Sequence, residues 1–371
     1  MIDAVSTSTL TEHLRNRIKA EGPVTFFEWM QAALYDPANG YYCRSDRRKW
    51  GRQGDYRTSP ERSSLFGATF ARYFASVFEK LGNPSAWTIL ELGAGDGRFA
   101  AGMLQTLDAH YPQVFSATRY VIDEASSDSR SIARKRLLPF GERVAFEKLE
   151  TLAIDAGIVF SNELLDAFPV HRVKMTGGRL QEFYVTVDAD GKFIWALSEP
   201  STPRIAHYLE QCDVALGEEQ IAEVNLGIEE WLKRVAACLR TGYVVTVDYG
   251  SEAVDLHPSS AHHPRYQGTL RSFQRHRLIE DVLSNPGEQD LTSTVNWTFI
   301  KNVGESLGLK TLELERQDRF LLAAGLLEQL ELESRLAANE ADKLRLSSAA
   351  LEMILPTGMS SSFQVLVQRK G

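Results

Sequence analysis

Residues 88–104 read TILELGAGDGRFAAGML, and this stretch decides the fold class. An apolar run comes first, Gly93, Gly95 and Gly97 follow at alternate positions, and helix-forming residues begin at Arg98. Glycine adopts backbone conformations that other residues avoid, so the run predicts a tight turn between a strand and a helix. Backbone amides at the start of such a helix can approach a bound ligand closely. The stretch therefore predicts a strand, a turn and a helix that together bind a ligand.

The spacing of these glycines distinguishes two classes of adenosine-containing ligand. Dinucleotide-binding enzymes use G-x-G-x-x-G, whose longer turn seats a pyrophosphate at the helix N-terminus. Here the spacing is G-x-G-x-G, and Arg98 occupies the next position. A ligand with adenosine and an amino-acid tail but no phosphate, such as S-adenosylmethionine, needs only close backbone approach and an acidic partner. The alternative is that the glycines only make a tight turn, since an isolated short motif has low specificity.

Acidic residues at neighbouring strand ends are the second part of this prediction. Glu91 lies at the end of the strand before the glycines, and the segment YVIDEAS contains Asp123 and Glu124 at the end of the next strand. An acid in this second position can bind the ribose hydroxyls of an adenosyl ligand, and we favour Glu124 for it. The residues predicted to bind the cofactor are Glu91, Gly93, Ala94, Gly95, Gly97, Glu124 and Asn162.

Composition and charge exclude several protein classes. The 371 residues are 43% hydrophobic, which is enough to bury a sizeable core. The net charge of -8 disfavours electrostatic binding of nucleic acid over a broad surface. Cys43, Cys212 and Cys238 are far apart and predict neither a zinc site nor a disulfide framework. No apolar run approaches the roughly 20 residues of a membrane span. The first residues lack the features of a secretory or transit signal, so we expect a cytoplasmic protein.

Patterns outside the glycine stretch predict an α/β fold with insertions. Short apolar runs such as RYVIDEA, GIVFSNEL and GYVVTVDYG alternate with helical segments, which is typical of a parallel sheet covered by helices. We expect a helical segment and lid loop over residues 1–84, with a helix starting at Thr25, and a second domain over residues 85–371. Within that domain we expect an antiparallel β-meander at about 171–199 and an irregular insertion at about 251–300.

Longer motifs follow one another along the chain: GPVTFFEWMQAALYDPANGYY, GDYRTSPERSSLFG, ILELGAGDGRF, SNELLDAFPV, VDYG, GTLRSFQRH and NPGEQDLTSTVNW. Together they resemble the MidA family, whose mitochondrial members are arginine methyltransferases that assist assembly of respiratory complex I. The resemblance implies a class I, Rossmann-like, seven-stranded methyltransferase sheet with insertions after strands 4 and 5. It also implies S-adenosyl-L-methionine as cofactor and N-methylation of an arginine in a protein such as a complex I subunit. Ala94 and Asp96 depart from the family, which more often has proline and a basic or other residue there.

The segment SNELLDAFPV, which follows the fourth predicted strand, supplies the predicted catalytic carboxylates. An arginine guanidinium is planar and always charged, so a carboxylate that binds it bidentately orients it and leaves another nitrogen better able to attack a methyl group. We predict Glu163 for this role and Asp166 as its helper. The alternative is that Asn162 and Glu163 only cap a helix.

Three further motifs are predicted to close over the ligand or contact the acceptor. Asp55 and Tyr56 lie in the lid loop, where Asp55 is the third predicted catalytic residue and Tyr56 an aromatic wall. Asp248 and Tyr249 end the fifth predicted strand, and His276 follows GTLRSFQR. Each motif has a structural alternative, respectively a surface turn, a buried tyrosine with one hydrogen-bond partner, and a structural histidine.

The sequence leaves more than one function open. The first hypothesis is a protein arginine N-methyltransferase, and the alternatives are a small-molecule O- or N-methyltransferase, a non-catalytic assembly factor that retains the fold and, third, a dinucleotide oxidoreductase. The expected partners are a protein acceptor or a small molecule, without nucleic acid or a membrane span, and a homodimer is left open. No metal is predicted, because the adjacent His262 and His263 point apart in an extended chain and lack a third ligand.

Overall fold

The structure, a computed structural model, describes residues 9–44, 64–274, 277–355 and 362–371. Three of the predicted site residues lie outside these ranges, namely Asp55, Tyr56 and His276. Their predicted roles stay predictions.

The chain forms two compact units, each assembled from three stretches of sequence. The sheet unit comprises residues 57–165, 229–250 and 300–371. The meander unit comprises residues 1–56, 166–228 and 251–299. The two units alternate along the sequence, whereas the domains predicted from the sequence are consecutive.

The helices and strands of the described residues are numbered in chain order. The α-helices are α1 (Leu10–Glu21), α2 (Phe26–Tyr35), α3 (Ser64–Lys80), α4 (Arg98–His110), α5 (Pro112–Ala117), α6 (Ser127–Leu137), α7 (Arg204–Gln211), α8 (Gly227–Cys238), α9 (Ala253–Leu256), α10 (Trp297–Ser306), α11 (Gln317–Ala323), α12 (Leu326–Leu336) and α13 (Glu340–Ile354). The strands are β1 (Val24–Thr25), β2 (Trp87–Leu92), β3 (Thr118–Asp123), β4 (Val144–Phe146), β5 (Ile154–Asn162), β6 (His171–Thr176), β7 (Arg179–Val187), β8 (Phe193–Ser198), β9 (Ile221–Val224), β10 (Leu239–Ser251), β11 (Arg271–Gln274), β12 (Arg277–Leu278), β13 (Asp290–Thr292), β14 (Val295–Asn296), β15 (Lys310–Arg316) and β16 (Phe363–Lys370).

The sheet unit is built on a mostly parallel β-sheet. Its strands lie in the order β4-β3-β2-β5-β10-β16-β15; neighbours from β4 to β10 pair in parallel, and β16 is antiparallel to both β10 and β15. In β2 every residue except Thr88 is buried, as expected for a strand covered on both faces. The α/β class is thus confirmed, and seven strands of this sheet lie on one continuous path.

An aromatic contact fixes the helix after the glycines to the sheet. Phe99, in the first turn of α4, stacks on Phe160 of β5 with the ring centroids 4.3 Å apart and 11° between the ring planes. Phe70 of α3 packs against both rings, with centroid distances of 5.8 and 5.2 Å. Burying a side chain of this size contributes roughly 1.5–3 kcal/mol. The contact holds the start of α4 against the strand that ends at Asn162.

The meander unit contains two antiparallel sheets. The larger has the order β1-β7-β6-β9 with β8 also paired to β7, and the smaller has the order β12-β11-β13. Thr25 caps α2 by accepting from the Glu28 amide, while the Glu28 carboxylate accepts from the Thr25 amide at 3.0 Å. This capping box confirms the predicted helix start. No helix in the described parts of the chain has the length and apolar character needed to span a bilayer.

Candidate active site

The segments that follow β2, β3, β5 and β10 meet at one edge of the sheet unit, because these strands are parallel. The register pairs Leu92 with both Asp123 and Ser161, and Val247 with Asn162. Open α/β sheets bind their ligands beyond the carboxyl ends of the strands. This edge is therefore the candidate active site.

The three glycines of the loop after β2 each have a backbone conformation that favours glycine. Their φ angles are 72° at Gly93, 55° at Gly95 and 77° at Gly97. Left-handed values of this kind cost other residues roughly 1–2 kcal/mol each. Space is limited as well, since a Cβ would lie 3.0 Å from Leu164 Cδ1 at Gly93 and 3.0 Å from Ala133 Cβ at Gly97. Residues 93–97 therefore present mostly backbone atoms, and we call them the glycine loop.

Glu124, rather than Asp123, faces the glycine loop. Its Oε2 accepts a hydrogen bond from the Gly95 amide at 2.8 Å, and its Oε1 accepts from the Ser126 amide at 2.7 Å. The Asp123 carboxylate instead accepts from Lys148 Nζ at 2.9 Å. A carboxylate beside a loop of glycines can accept hydrogen bonds from the ribose hydroxyls of an adenosyl ligand. The geometry thus supports Glu124 as the acid beside the adenosyl ligand.

Glu91 is a buried acid at the end of β2. It is 3% exposed, and its Oε2 accepts from Tyr120 OH at 2.8 Å. Burial is the main reason that the pKa of Glu91 rises to about 8; the charges of Glu124 and Asp96 raise it further, and the hydrogen bond from Tyr120 lowers it. At neutral pH the Glu91 carboxyl therefore holds a proton. A cationic ligand nearby would favour its ionised form.

Asp96, one of the two departures from the family, is bound by two arginines. Its Oδ2 lies 3.0 Å from Arg98 Nε and 3.0 Å from Arg136 Nη2, and its backbone carbonyl accepts from Arg136 Nε at 2.9 Å. Sequence reasoning missed Arg136, which no motif marks. It also missed Tyr120, although the parallel pairing of β2 and β3 places Tyr120 and Glu91 on the same face of the sheet.

The residues after β5 form a tight turn rather than a helix. Glu163 has a φ of 51°, and its amide donates to Val247 O at 2.9 Å. Residues 163–170 contain bends and turns and no helix. The alternative in which Asn162 and Glu163 cap a helix is therefore wrong. Glu163 Oε1 accepts from Asn162 Nδ2 at 3.0 Å, and the next residue, Leu164, is the one whose side chain lies against Gly93. Glu163 is therefore a partly exposed acid beside the glycine loop.

Asp248 ties this turn to the end of β10. It is fully buried, and its Oδ2 accepts from the Leu165 amide and its Oδ1 from the Tyr249 amide, each at 2.9 Å. The Tyr249 ring packs edge-on against Phe363, with the centroids 5.3 Å apart. The predicted contacts of Asp248 and Tyr249 with an acceptor stay predictions.

Asp166 belongs to the meander unit and is 5% exposed. Its backbone carbonyl accepts from the Ser293 amide at 3.0 Å, which links it to the motif NPGEQDLTSTVNW. In the same motif, Asp290 accepts from Tyr42 OH at 2.7 Å. The role of Asp166 as a helper of Glu163 stays a prediction.

The residues at the sheet edge fit an adenosyl ligand with an amino-acid tail. The glycine loop presents backbone atoms without side chains, and Glu124 provides acceptor oxygens beside it. Asn162 Oδ1 is buried and has no hydrogen-bond partner among the described residues, so an acceptor is present there for a ligand's donor. Ala94 is buried, and its carbonyl accepts from the Gly97 amide at 3.0 Å, which closes the loop. The described residues contain no group of His, Cys, Asp and Glu that could hold a metal ion.

Comparison with known proteins agrees with this arrangement. A family model described as "Putative S-adenosyl-L-methionine-dependent methyltransferase" matches residues 69–314. Among curated proteins, the Drosophila melanogaster protein arginine methyltransferase NDUFAF7 homolog, mitochondrial, is 28% identical over 328 residues, covering 81% of this chain and 71% of its own. The Homo sapiens protein arginine methyltransferase NDUFAF7, mitochondrial, is 25% identical over 320 residues, covering 80% and 69%.

These relatives correct one prediction. They are mitochondrial proteins, so the predicted cytoplasmic location is wrong. That prediction depended only on the composition of the first residues, in which the lack of a recognisable signal does not specify a compartment.

A solved structure is similar over nearly the whole chain. It is the crystal structure of a COG1565 superfamily member from Burkholderia thailandensis bound to S-adenosyl-homocysteine. The sequence identity is 29% and the TM-score 0.84, covering 97% of this chain and 92% of that chain. Since the family model matches more than half of the chain, this chain belongs to the S-adenosyl-L-methionine-dependent methyltransferases, and its resemblance to the MidA family is confirmed.

Proposed function

We propose that this methyltransferase N-methylates an arginine side chain of a protein, and that the acceptor is a subunit of respiratory complex I. Two observations support arginine. The curated relatives are named protein arginine methyltransferases, and Glu163 offers a partly exposed carboxylate beside the glycine loop. The complex I acceptor follows from the MidA resemblance. The position of Glu163 carries the proposal, because a guanidinium requires an anion at the place of reaction.

A guanidinium becomes a competent nucleophile when its charge is drawn to one side. Its pKa lies above about 12, so it reaches the enzyme protonated. A carboxylate that accepts two of its N–H groups fixes the planar fork and holds the positive charge near the bound nitrogens. The bound cofactor supplies an electrophilic methyl group on a sulfonium. Holding the free nitrogen in line with that group can lower the barrier by about 7–11 kcal/mol.

Glu163 is positioned before an acceptor arrives. Its left-handed backbone is tied to Val247 O, and the Asn162 amide orients one of its carboxylate oxygens at 3.0 Å. A group fixed in this way reorganises little during the reaction, which is the condition for strong electrostatic stabilisation. These contacts support Glu163 as the residue that orients the guanidinium.

The other predicted residues are assigned the following roles in this proposal. For the cofactor, we assign the ribose hydroxyls to Glu124 and a donor of the amino-acid tail to Asn162 Oδ1. Glu91 is the buried acid that a cationic ligand would ionise. We assign Asp248 to holding the turn in place. The residues proposed for the acceptor side are Asp55, Tyr56, Asp166, Tyr249 and His276.

The test replaces Glu163 with glutamine, which keeps the shape and removes the charge. We expect Glu163→Gln to lower arginine methylation at least about 100-fold, measured as transfer of a labelled methyl group to proteins of the host's own lysate. Calorimetry should show nearly unchanged affinity for S-adenosylhomocysteine. Glu150→Gln is the matched control, because Glu150 lies before β5, at the opposite end of the strand, and pairs with Arg234. Unchanged arginine labelling in Glu163→Gln would remove the assignment.

The same measurements separate the alternative functions. A neutral small-molecule acceptor does not need the anion, so its methylation should survive Glu163→Gln. A non-catalytic assembly factor should leave the lysate unlabelled with the wild-type protein, and an absence of heat on titration with S-adenosylmethionine would favour it. Mass spectrometry of the labelled protein then identifies the acceptor and tests the complex I assignment directly.

A further inference from the structure

Helix α6 lies against both loops that we assign to the cofactor. One is the glycine loop, where a Cβ on Gly97 would lie 3.0 Å from Ala133 Cβ and 3.1 Å from Ala133 Cα. The other is residues 124–126, called the Glu124 loop, which leads into α6. In it, the Ser126 amide at the N-cap of α6 donates to Glu124 Oε1 at 2.7 Å. A single helix therefore contacts both sides of the proposed cofactor site.

Arg136, in the last turn of α6, binds the glycine loop at two points. Its Nε donates to the Asp96 carbonyl at 2.9 Å, and its Nη2 donates to Asp96 Oδ2 at 3.0 Å. A planar guanidinium with two such bonds fixes the orientation of its partner as well as its distance. Arg136 therefore restrains both the backbone and the side chain of the glycine loop at Asp96.

Arg130, six residues earlier in α6, binds the Glu124 loop. Its Nη1 donates to the carbonyl of Glu124 at 2.5 Å and to the carbonyl of Ala125 at 2.7 Å. The two loops are also joined to each other, because the Gly95 amide donates to Glu124 Oε2 at 2.8 Å. The helix and the two loops are thus connected pairwise by hydrogen bonds.

We infer that Arg130 and Arg136 are positioning residues for cofactor binding, which hold the Glu124 loop and the glycine loop in the arrangement that the cofactor requires. The inference rests on the assignment of the cofactor to these two loops in the proposed function. Each arginine acts through the backbone of a loop and needs no contact with the cofactor. A site that is ordered before its ligand arrives loses less binding free energy to ordering.

The expected effect follows from the fraction of molecules whose loops are in the binding conformation. The apparent dissociation constant rises in inverse proportion to that fraction. If about one molecule in ten keeps the loop in place without its arginine, affinity falls about 10-fold. The rate at saturating cofactor should then be preserved, because the bound molecules have the same arrangement as in the wild-type protein. A KM that rises at constant kcat is the signature of this kind of loss.

The test replaces each arginine with methionine, which has an unbranched side chain without hydrogen-bond donors. Arg130→Met and Arg136→Met should each weaken binding of S-adenosylhomocysteine about 10-fold in calorimetry. The KM for S-adenosylmethionine should rise by a similar factor, with kcat within about two-fold of the wild-type value, when labelled methyl transfer to the host's lysate is measured. Arg136→Lys should have intermediate affinity, because an ammonium can bind one of the two Asp96 acceptors.

Arg143→Met is the matched control. Arg143 Nη1 also donates to two consecutive carbonyls, those of Phe115 and Ser116, each at 3.0 Å. These residues precede β3, whereas Glu124 follows it, so they lie at the opposite end of the strand. Arg143→Met should bind S-adenosylhomocysteine with wild-type affinity, and denaturant unfolding compares its stability with that of the other variants.

Three results would overturn the inference. They are wild-type affinity in folded Arg130→Met and Arg136→Met variants, an equal loss of affinity in Arg143→Met, or a fall in kcat at unchanged KM. Gly93→Ala separates this failure from failure of the cofactor assignment. If Gly93→Ala loses affinity while the arginine variants keep it, only the positioning role is wrong. If Gly93→Ala also binds normally, the cofactor does not occupy the glycine loop and both proposals fail.

Discussion

Asp248→Asn is expected to impair methyl transfer far more than cofactor binding. The Asp248 carboxylate is fully buried and accepts the amides of Leu165 and Tyr249, each at 2.9 Å. The Leu165 amide belongs to the turn that carries Glu163. Asparagine has the same shape but only one acceptor oxygen, so its NH₂ group must face one of the two backbone amides.

The magnitude follows from these contacts. A hydrogen bond to a charged acceptor contributes about 1.5–3 kcal/mol, and a buried donor left unpaired costs about 1–3 kcal/mol, so the variant should lose roughly 2–4 kcal/mol of unfolding free energy. If asparagine keeps the Tyr249 amide, the turn loses the bond from the Leu165 amide, which is one of its ties to β10. A displacement of about 1 Å in a catalytic group can cost 100-fold in rate. We therefore expect kcat to fall about 10- to 100-fold.

The assay compares this rate with cofactor affinity in the same variant. Affinity for S-adenosylhomocysteine, measured by calorimetry, should change little, since Glu124 and the glycine loop follow β2 and β3 rather than β10. Asp318→Asn is the matched control: Asp318 is 6% exposed and accepts from Arg316 Nε at 3.1 Å and Nη2 at 2.7 Å. It should lose comparable stability and keep its kcat.

Two results would refute the reasoning. One is a folded Asp248→Asn variant with kcat close to the wild-type value, and the other is an equal loss of activity in Asp318→Asn, which would indicate general destabilisation. A raised acceptor KM at unchanged kcat would instead favour direct contact of Asp248 with the acceptor, as the sequence predicted.

Three further changes test neighbouring parts of the site. Gly93→Ala places a Cβ 3.0 Å from Leu164 Cδ1 at a φ of 72°, and calorimetry should show affinity for S-adenosylhomocysteine reduced more than about 10-fold; unchanged affinity would mean that the cofactor does not enter the loop. The pKa of Glu91 is about 8 against an ordinary value of 4.5, so the wild-type protein should lose up to about 1.4 kcal/mol of stability per pH unit as pH rises through this window. Glu91→Gln should lack that slope when its unfolding free energy is measured by denaturant titration at pH 5 and 8. The same change with pH in the variant and in the wild-type protein would contradict the burial argument. Glu163→Gly should unfold within about 1 kcal/mol of the wild-type protein and yet lose methyl transfer, because glycine accepts the left-handed backbone; retained activity would exclude the carboxylate.

The sheet and the glycine loop could be predicted because they depend on short-range pattern. An apolar run, alternate glycines and a helix-forming segment specify β2, the turn and α4 without reference to the rest of the chain. The expectation of an acid at the end of the next strand needed only the rule that parallel strands end at the same edge, and Glu124 was preferred to Asp123 without a rule that separates them. In the structure the Glu124 carboxylate accepts a hydrogen bond from the Gly95 amide, and the Asp123 carboxylate accepts one from Lys148.

The turn after β5 could not be predicted, because its conformation depends on contacts distant in sequence. The window SNELLD fits a helix cap as well as a tight turn. The bond from the Leu165 amide to Asp248 joins residues 83 positions apart, and the pairing of β5 with β10 brings them together. The interleaved units have the same cause, since the segments of the meander unit are separated by strands of the sheet unit.

The backbone of Glu163 provides an argument for its role that is independent of the relatives. Among the described residues, the non-glycine positions with positive φ are Asn83, Glu163, Asp213, Glu219 and Asn285. All except Glu163 are exposed, and three of them are Asn or Asp, which tolerate this conformation best. A glutamate at a partly buried sheet edge is retained in this conformation only when its surroundings over-determine it, as the Val247 carbonyl and Asp248 do here. Glycine would make the same turn at lower cost. What glycine cannot supply is the carboxylate, so the backbone of Glu163 supports the proposal that an anion is needed beside the glycine loop.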